Sequence, residues 1–171
     1  MTLTGRRAVA LDAPRLSALA LRSKAVWGYS PEFMARCREE LTLTPKQVAE
    51  DWGYVYEDHG ASQSERLVGF VLVSRCSAGR LSQFQTETPD GVALELEALF
   101  VEPARIGQGI GRRLFQRALE YGARLAPRGQ LWIQSDPNAE AFYVSRGAVR
   151  VGELESASVP GRKLLLLRSS W

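Results

Sequence analysis

One stretch, Leu94–Arg113 (LELEALFVEPARIGQGIGRR), constrains the fold more than any other part of the chain. Leu94–Val101 is an apolar-rich run carrying Glu95 and Glu97, short and well bounded, and it reads as a buried strand. Pro103 has no N–H to give a strand ladder, so Glu102-Pro103-Ala104 is a turn. Gly107, Gly109 and Gly111 then alternate, and a long amphipathic helical pattern starts directly behind them. Strand, glycine loop, helix is an anion-binding layout. Glycine lets the backbone come close, and the unpaired N–H groups of the first helical turn point at whatever sits there.

Spacing decides between the glycine loops of this general kind. A P-loop needs Lys followed by Ser or Thr after its last glycine, and here Gly111 is followed by Arg112-Arg113. A dinucleotide fingerprint places its first glycine at the strand end and two residues between its second and third. Here five residues, Glu102 to Ile106, separate Val101 from Gly107, and one residue separates Gly109 from Gly111.

The 171 residues fit one domain, 1–171, and 45% apolar with 24% charged side chains is ordinary for a soluble globular protein. No apolar run approaches the roughly 18 residues of a membrane span, and the N-terminus lacks an apolar segment of the export type. A cytoplasmic protein without membrane partners is expected. Cys37 and Cys76 form no pair at metal-ligand spacing and His59 is the one histidine, so no metal is expected and both thiols should be reduced. At about 100° per residue, Arg113, Arg117, Arg124 and Arg128 fall on one stripe of the long helix, while Leu114, Ala118, Tyr121 and Leu125 line another side. The stripe is either a solvated face or, at Arg112 and Arg113, a phosphate contact. It has no interleaved aromatics to stack bases, which argues against a nucleic-acid partner.

Taken in order, Arg7–Leu11 reads as a short strand, and Asp12 and Pro14 as the start of a helix reaching about Lys24. An aromatic loop, Ala25–Pro31, leads into a second helix from Ser30-Pro31-Glu32-Phe33 to about Glu40, and Thr44-Pro45-Lys46-Gln47 is a capped helical turn. Tyr54–Glu57 and Leu67–Val73 form a hairpin around the polar turn Asp58–Glu65. Ser77–Asp90 holds a strand at Leu81–Gln85 or is a long loop. Gln130–Gln134 is a buried strand, Asp136 or Asn138 caps a helix that stops at Gly147, and Ala148–Gly152 and Lys163–Arg168 are strands. The Leu164–Leu167 run is apolar on both faces and belongs inside the sheet.

Leu99-Phe100-Val101-Glu102-Pro103 followed by Gly107-Gln108-Gly109-Ile110-Gly111 and Leu114 resembles the acetyl-CoA signature of the GCN5-related N-acetyltransferase (GNAT) superfamily. Its first position is Ile106, where the family more often has Gln or Arg. Asp136-Pro137-Asn138, then Phe142-Tyr143, then three residues and Gly147 resembles the second signature, with Gly147-Ala148 in place of the usual Gly-Phe. The resemblance implies an α/β (α+β) fold: a mixed, mostly antiparallel sheet of about six to seven strands with a splayed central pair, flanked by about four helices. It implies transfer of an acetyl group from acetyl-CoA to a primary amine of a small molecule or peptide by direct attack in a ternary complex, the alternative being a non-catalytic acyl-CoA-binding module.

The site residues follow from that resemblance together with the chemistry of amide formation. Neutralising an amine of pKa about 10.4 at pH 7 costs roughly 4–5 kcal/mol, so a base is needed, and Glu95 and Glu97, on one face of their strand, are the candidates. A main-chain donor near Leu99, Phe100 and Val101 stabilises the oxyanion. Tyr143 donates a proton to the leaving thiolate, and Asn138 and Phe142 sit at the coenzyme. Ile106, Gly107, Gln108, Gly109, Ile110, Gly111 and Arg112 receive the diphosphate. Lys24, Trp27, Tyr29 and Phe33 are either packing residues or one wall of the acceptor site. Acceptor identity and oligomeric state stay open, a homodimer being one option.

Overall fold

The computed structural model describes residues 2–62, 66–86 and 91–171. Seven strands, β1 (Leu3–Arg7), β2 (Trp52–Asp58), β3 (Leu67–Arg75), β4 (Val92–Val101), β5 (Gly129–Ser135), β6 (Val149–Glu155) and β7 (Lys163–Ser170), make one sheet in the order β1-β2-β3-β4-β5-β7-β6. The helices are α1 (Ala13–Ala25), α2 (Pro31–Cys37), α3 (Pro45–Glu50), α4 (Ala78–Gln83), α5 (Ile110–Leu125) and α6 (Glu140–Val144). Six α-helices among the described residues replace the expected four or so, because α3 and α4 are single capped turns too short to show a helical period. None of the helices is long and apolar enough to cross a membrane.

The chain divides into two compact units, residues 1–72 with 98–115 and residues 73–97 with 116–171. In the first, β1 pairs antiparallel with β2, Leu3 opposite Asp58 and Arg7 opposite Tyr54. The expected strand at Arg7–Leu11 is thus displaced: β1 ends at Arg7 and Ala10–Asp12 is a 3-10 turn. Asp12 precedes α1 as expected but does not cap it. Its carboxylate instead accepts from the Val9 N–H at 2.9 Å and from both Arg6 Nη atoms at 2.8 and 2.9 Å. Ser30 and Thr44 do cap, accepting from the N–H of Phe33 and Gln47. Helix α2 ends at Cys37, short of Glu40. Of the turn between β2 and β3, Gln63, Ser64 and Glu65 lie outside the described residues.

In the second unit, β4 and β5 run parallel, in register from Val92/Gly129 to Leu96/Ile133, while β4 continues to Val101 and β5 to Ser135. Strand β7 lies between β5 and β6, antiparallel to both, which is where its four leucines belong. Register sorts the two faces. Leu94, Leu96, Leu131, Ile133 and Leu167 share one, and Ala93, Glu95, Trp132, Gln134 and Leu166 share the other. Where a strand at Leu81–Gln85 or a long loop was expected, Ala78–Gln83 is a helix. Ser77 accepts from the Arg80 N–H and starts it, and Leu81 and Phe84, three residues apart, reach the apolar cluster of Ala93, Trp132 and Leu166. Pro89 and Asp90 lie outside the described residues. Helix α5 ends at Leu125, so Arg128 is not on its basic stripe, and Arg117 pairs with Glu120 at 3.1 Å.

Candidate functional site

The glycine loop belongs to the first unit and is built from backbone geometry. Glu102 leaves β4 with its N–H on the Val68 carbonyl (2.9 Å), and Pro103–Arg105 forms a 3-10 turn. Inside the loop the N–H of Ile106 bonds Pro103 O (3.3 Å) and that of Gln108 bonds Arg105 O (3.3 Å). Gly107 and Gly109 take φ of +84° and +79°, which other residues adopt only at a cost, whereas Gly111 lies in the first turn of α5 with ordinary φ. Ile110 is fully buried against Gly69, where a Cβ would come within 2.9 Å of it. The N–H groups of Ile110, Gly111 and Arg112 have no acceptor four residues back within the helix, and the positive end of the helix dipole adds to them. Arg112 is exposed, Leu99, Phe100 and Val101 are half-buried, and Ile106 is 53% exposed.

Two ion pairs frame this loop, and neither was legible in the sequence. Arg22 Nη2 meets Glu102 Oε2 at 2.6 Å, and Arg105 Nη2 meets Asp58 Oδ2 at 2.9 Å. The Asp58 carboxyl is held below the ordinary carboxylate range first by the Gly60 N–H, then by the Thr2 N–H and the Arg105 charge. Elsewhere in the unit, Tyr29 and Phe33 stack with centroids 4.0 Å apart, and Lys24 Nζ lies 5.8 and 6.0 Å from the two rings. The structure therefore groups three of the four acceptor-wall candidates, with the Lys24 side chain largely buried. The Trp27 indole is exposed.

The carboxylates belong to the second unit, and there the structure separates two residues the sequence could not. Glu95 is 4% exposed, with Oε2 on Arg80 Nε (2.8 Å) and Oε1 on Gln134 Nε2 (2.7 Å). Burial and then the charge of Glu97 lift its pKa above the ordinary 4.5, against the pull of Gln134 and Arg80. Glu97 is exposed and, among the described residues, takes a single bond, from Ser74 Oγ at 2.5 Å. Beside Glu95 in the register, Trp132 stacks on Phe84, centroids 5.2 Å apart. Burial, then Glu95 and Glu97, push the Cys76 thiol up to about 12, so it stays protonated and unreactive near neutrality. Arg80, Gln134 and Ser74 were all missed by sequence reasoning, because only strand register and α4 bring them to the glutamates.

Beyond β5, Asp136 Oδ1 accepts from the Asn138 N–H (3.0 Å) and Oδ2 from Arg162 Nη2 (2.7 Å), so Asp136 caps the 3-10 turn Pro137–Ala139, and α6, expected to be capped by Asp136 or Asn138, instead follows Ala139 with no side-chain cap. Tyr143 is buried on α6, edge-on to Phe142 at 5.0 Å, and burial raises its hydroxyl pKa. That phenol holds its proton across the working range and is a donor throughout. Among the described residues, no three or more His, Cys, Asp or Glu side chains group so as to hold a metal ion.

Comparison with known proteins adds to this geometry. The family described as acetyltransferase (GNAT) domain matches residues 42–157. An uncharacterized N-acetyltransferase in the pepI 3' region of Lactobacillus delbrueckii subsp. lactis is 33% identical over 72 residues, 40% of this chain. The matched segment spans 41% of that relative's length. The solved structure of the PaiA N-acetyltransferase from Thermoplasma acidophilum, in complex with coenzyme A, superposes with a TM-score of 0.69 at 14% identity, covering 100% of both chains. That of Arabidopsis thaliana NAA60, in complex with acetyl-CoA, gives 0.66 at 18% identity over 98% of this chain and 99% of its own. At such identities these two structures speak for the fold.

Proposed function

The chain belongs to the acetyltransferase (GNAT) family, and from that premise we propose that it is an N-acetyltransferase moving an acetyl group from acetyl-CoA to a primary amine of a small molecule or peptide. The observation that carries this reading is the glycine loop. Two positive-φ glycines and a buried Ile110 lead directly into the first turn of α5, whose N–H groups lack helical acceptors, and that suits a diphosphate. Arg112 supplies charge at its rim, and the half-buried end of β4, Leu99–Val101, lies on the coenzyme's path.

Glu97 is our choice of general base. Glu95 has both oxygens committed and little access to water, whereas Glu97 is exposed, has one oxygen without a bond among the described residues, and can take the amine proton directly or through water. Glu95 then acts as a fixed charge beside it. Tyr143, its proton held firmly by burial, donates a hydrogen bond to the leaving thiolate, and being a weakened acid it stabilises that thiolate more than it protonates it. Asn138 and Phe142 are assigned to the coenzyme by their place in the second signature. Lys24, Tyr29 and Phe33 are assigned to the acceptor side, with Trp27 at its margin. The reaction balances without a further reagent: Glu97 takes one proton from the ammonium, the neutral amine attacks the thioester carbonyl, the C–S bond breaks, and the second proton that the nitrogen sheds on becoming an amide ends on the thiolate, which leaves as free thiol.

A non-catalytic coenzyme-binding module is the competing reading, and it draws on the neutralisation of Glu95 by Arg80. Calorimetry with coenzyme A, followed by a thiol-release screen against aminoglycosides, polyamines, amino acids and peptide N-termini, separates the two. Heat with coenzyme and thiol release with one amine class is the expected result. Heat without release from any class transfers the case to the binding module, and no heat at millimolar coenzyme overturns both.

A further inference from the structure

Resting on the reading that the glycine loop seats the coenzyme's diphosphate, we infer that Asp58 is a positioning residue for coenzyme binding, acting on the loop through Arg105. Asp58 is the last residue of β2 and is 3% exposed. Its Oδ1 accepts from the N–H groups of Thr2 (3.2 Å) and Gly60 (3.0 Å), and its Oδ2 accepts from Arg105 Nη2 (2.9 Å). Two backbone donors from separate segments fix the carboxylate before the arginine arrives, so it is an anchor and not a swinging surface charge.

What it anchors is the entry to the loop. Arg105 closes the 3-10 turn through its N–H on Glu102 O (2.8 Å), and its carbonyl takes the N–H of Gln108 (3.3 Å), directly between Gly107 and Gly109. Glycines are the positions with the widest backbone freedom. The direction of the loop's N–H groups therefore depends on what holds its two ends. Downstream the hold is Ile110, buried against Gly69. Upstream it is Arg105, and through it Asp58. The other ion pair near the loop, Arg22–Glu102, is shorter at 2.6 Å, but the Arg22 side chain is 50% exposed and Glu102 precedes Pro103, so solvent screens it and it acts further from the glycines. The Arg105 guanidinium, committed to Asp58, thus serves the coenzyme by holding backbone.

Pre-organisation of this kind shows in binding more than in the chemical step. Coenzyme A is titrated calorimetrically into the wild type, Asp58→Asn, Arg105→Gln, the double variant, Arg105→Lys and, as a control in the same unit, Asp12→Asn. Acetyl-CoA kinetics and melting temperatures are measured on each. Asp58→Asn and Arg105→Gln should each weaken the Kd about tenfold, with the double variant no worse than either single. Apparent KM should rise in step, kcat at saturating acetyl-CoA should hold, and Arg105→Lys should recover part of the loss. Asp12→Asn should lower the melting temperature and leave the Kd alone. Wild-type affinity in Asp58→Asn or Arg105→Gln overturns the inference while the loop reading stands, and so does an equal loss in Asp12→Asn at matched melting temperature. If Asp58→Asn does not fold, the two Arg105 variants decide. No binding to the wild type overturns the loop reading itself and takes this inference with it.

Discussion

The glycine loop and the carboxylate pair are two solutions to holding charge, and they differ in what they are made of. On the proposed reading, the receiving groups at the loop are backbone N–H donors. Their directions come from positive φ at Gly107 and Gly109 and the start of α5, and the side chains of Asp58 and Arg105 stand behind. At Glu95 and Glu97 the receiving groups are side chains, and their different states come from Arg80, Gln134 and Ser74, each borne on another element. A backbone-built seat needs its glycines and the few side chains that hold its two ends, here Arg105 with Asp58 and Ile110. A side-chain-built one is set residue by residue, so two glutamates two positions apart become a buried, partnered charge and an exposed one.

The largest effect should come from the side-chain region. Glu97→Gln is expected to lower kcat by about 10²-fold or more, within the range for loss of a general base, with coenzyme affinity unchanged. Steady-state kinetics beside calorimetry checks this, and a full loss in Glu95→Gln with none in Glu97→Gln would reverse the assignment. Next comes Tyr143→Phe, which removes a hydrogen bond to a charged leaving group and should reduce kcat about tenfold, again without touching the Kd. In the loop the split inverts. Gly109→Val forces a branched side chain into positive φ, a cost of about 1–2 kcal/mol, and should weaken coenzyme binding about tenfold while kcat at saturation is kept.

The smallest effect is in stability against pH, where the units should move in opposite directions. In the first unit, burial alone would raise the carboxyls of Asp12 and Glu57, but the hydrogen bonds and charge of Arg6, with lesser help from Arg15 and, for Asp12, the Val9 N–H, carry both below their ordinary 3.8 and 4.5. Their contribution is present above those values and is lost as pH falls through the lower folded ones. Glu95 has the other sign. Its folded pKa is raised above 4.5 by burial and then by Glu97, so its contribution is full below about 4.5 and is lost as pH rises through the folded value. Denaturant midpoints between about pH 7 and pH 3 should show the advantage of wild type over Glu95→Gln growing on acidification, and its advantage over Asp12→Asn shrinking at the acid end. Parallel behaviour of the two variants would break the contrast.

Elements with a local cause were read correctly along the chain. Pro103 ended β4, Thr44 and Ser30 capped their helices, and the four leucines of β7 took an interior place, whereas Asp136, expected to cap a helix, caps the 3-10 turn ahead of it. The failures have tertiary causes. Helix α4 is too short to display a period, and its Leu81 and the C-cap residue Phe84 find their cluster only once Ala93, Trp132 and Leu166 have come together. Asp12 looked like a helix cap because its spacing to Pro14 allows one, but Arg6, from β1, bids for the same carboxylate and has it.

By itself the sequence determined the strand, glycine loop and long helix, the second signature at Asp136–Tyr143, and through them the GNAT fold, because φ restrictions, caps and glycine freedom act within a few residues. Only the tertiary structure decided which glutamate is buried and which is open, that Asp58 ties down Arg105, and that Lys24 lies over Tyr29 and Phe33. Arg80 is 15 residues from Glu95, Gln134 is 39, and Arg105 is 47 from Asp58. Partners that far apart are chosen by strand register and packing, and a side chain's charge state follows from the partner it is given.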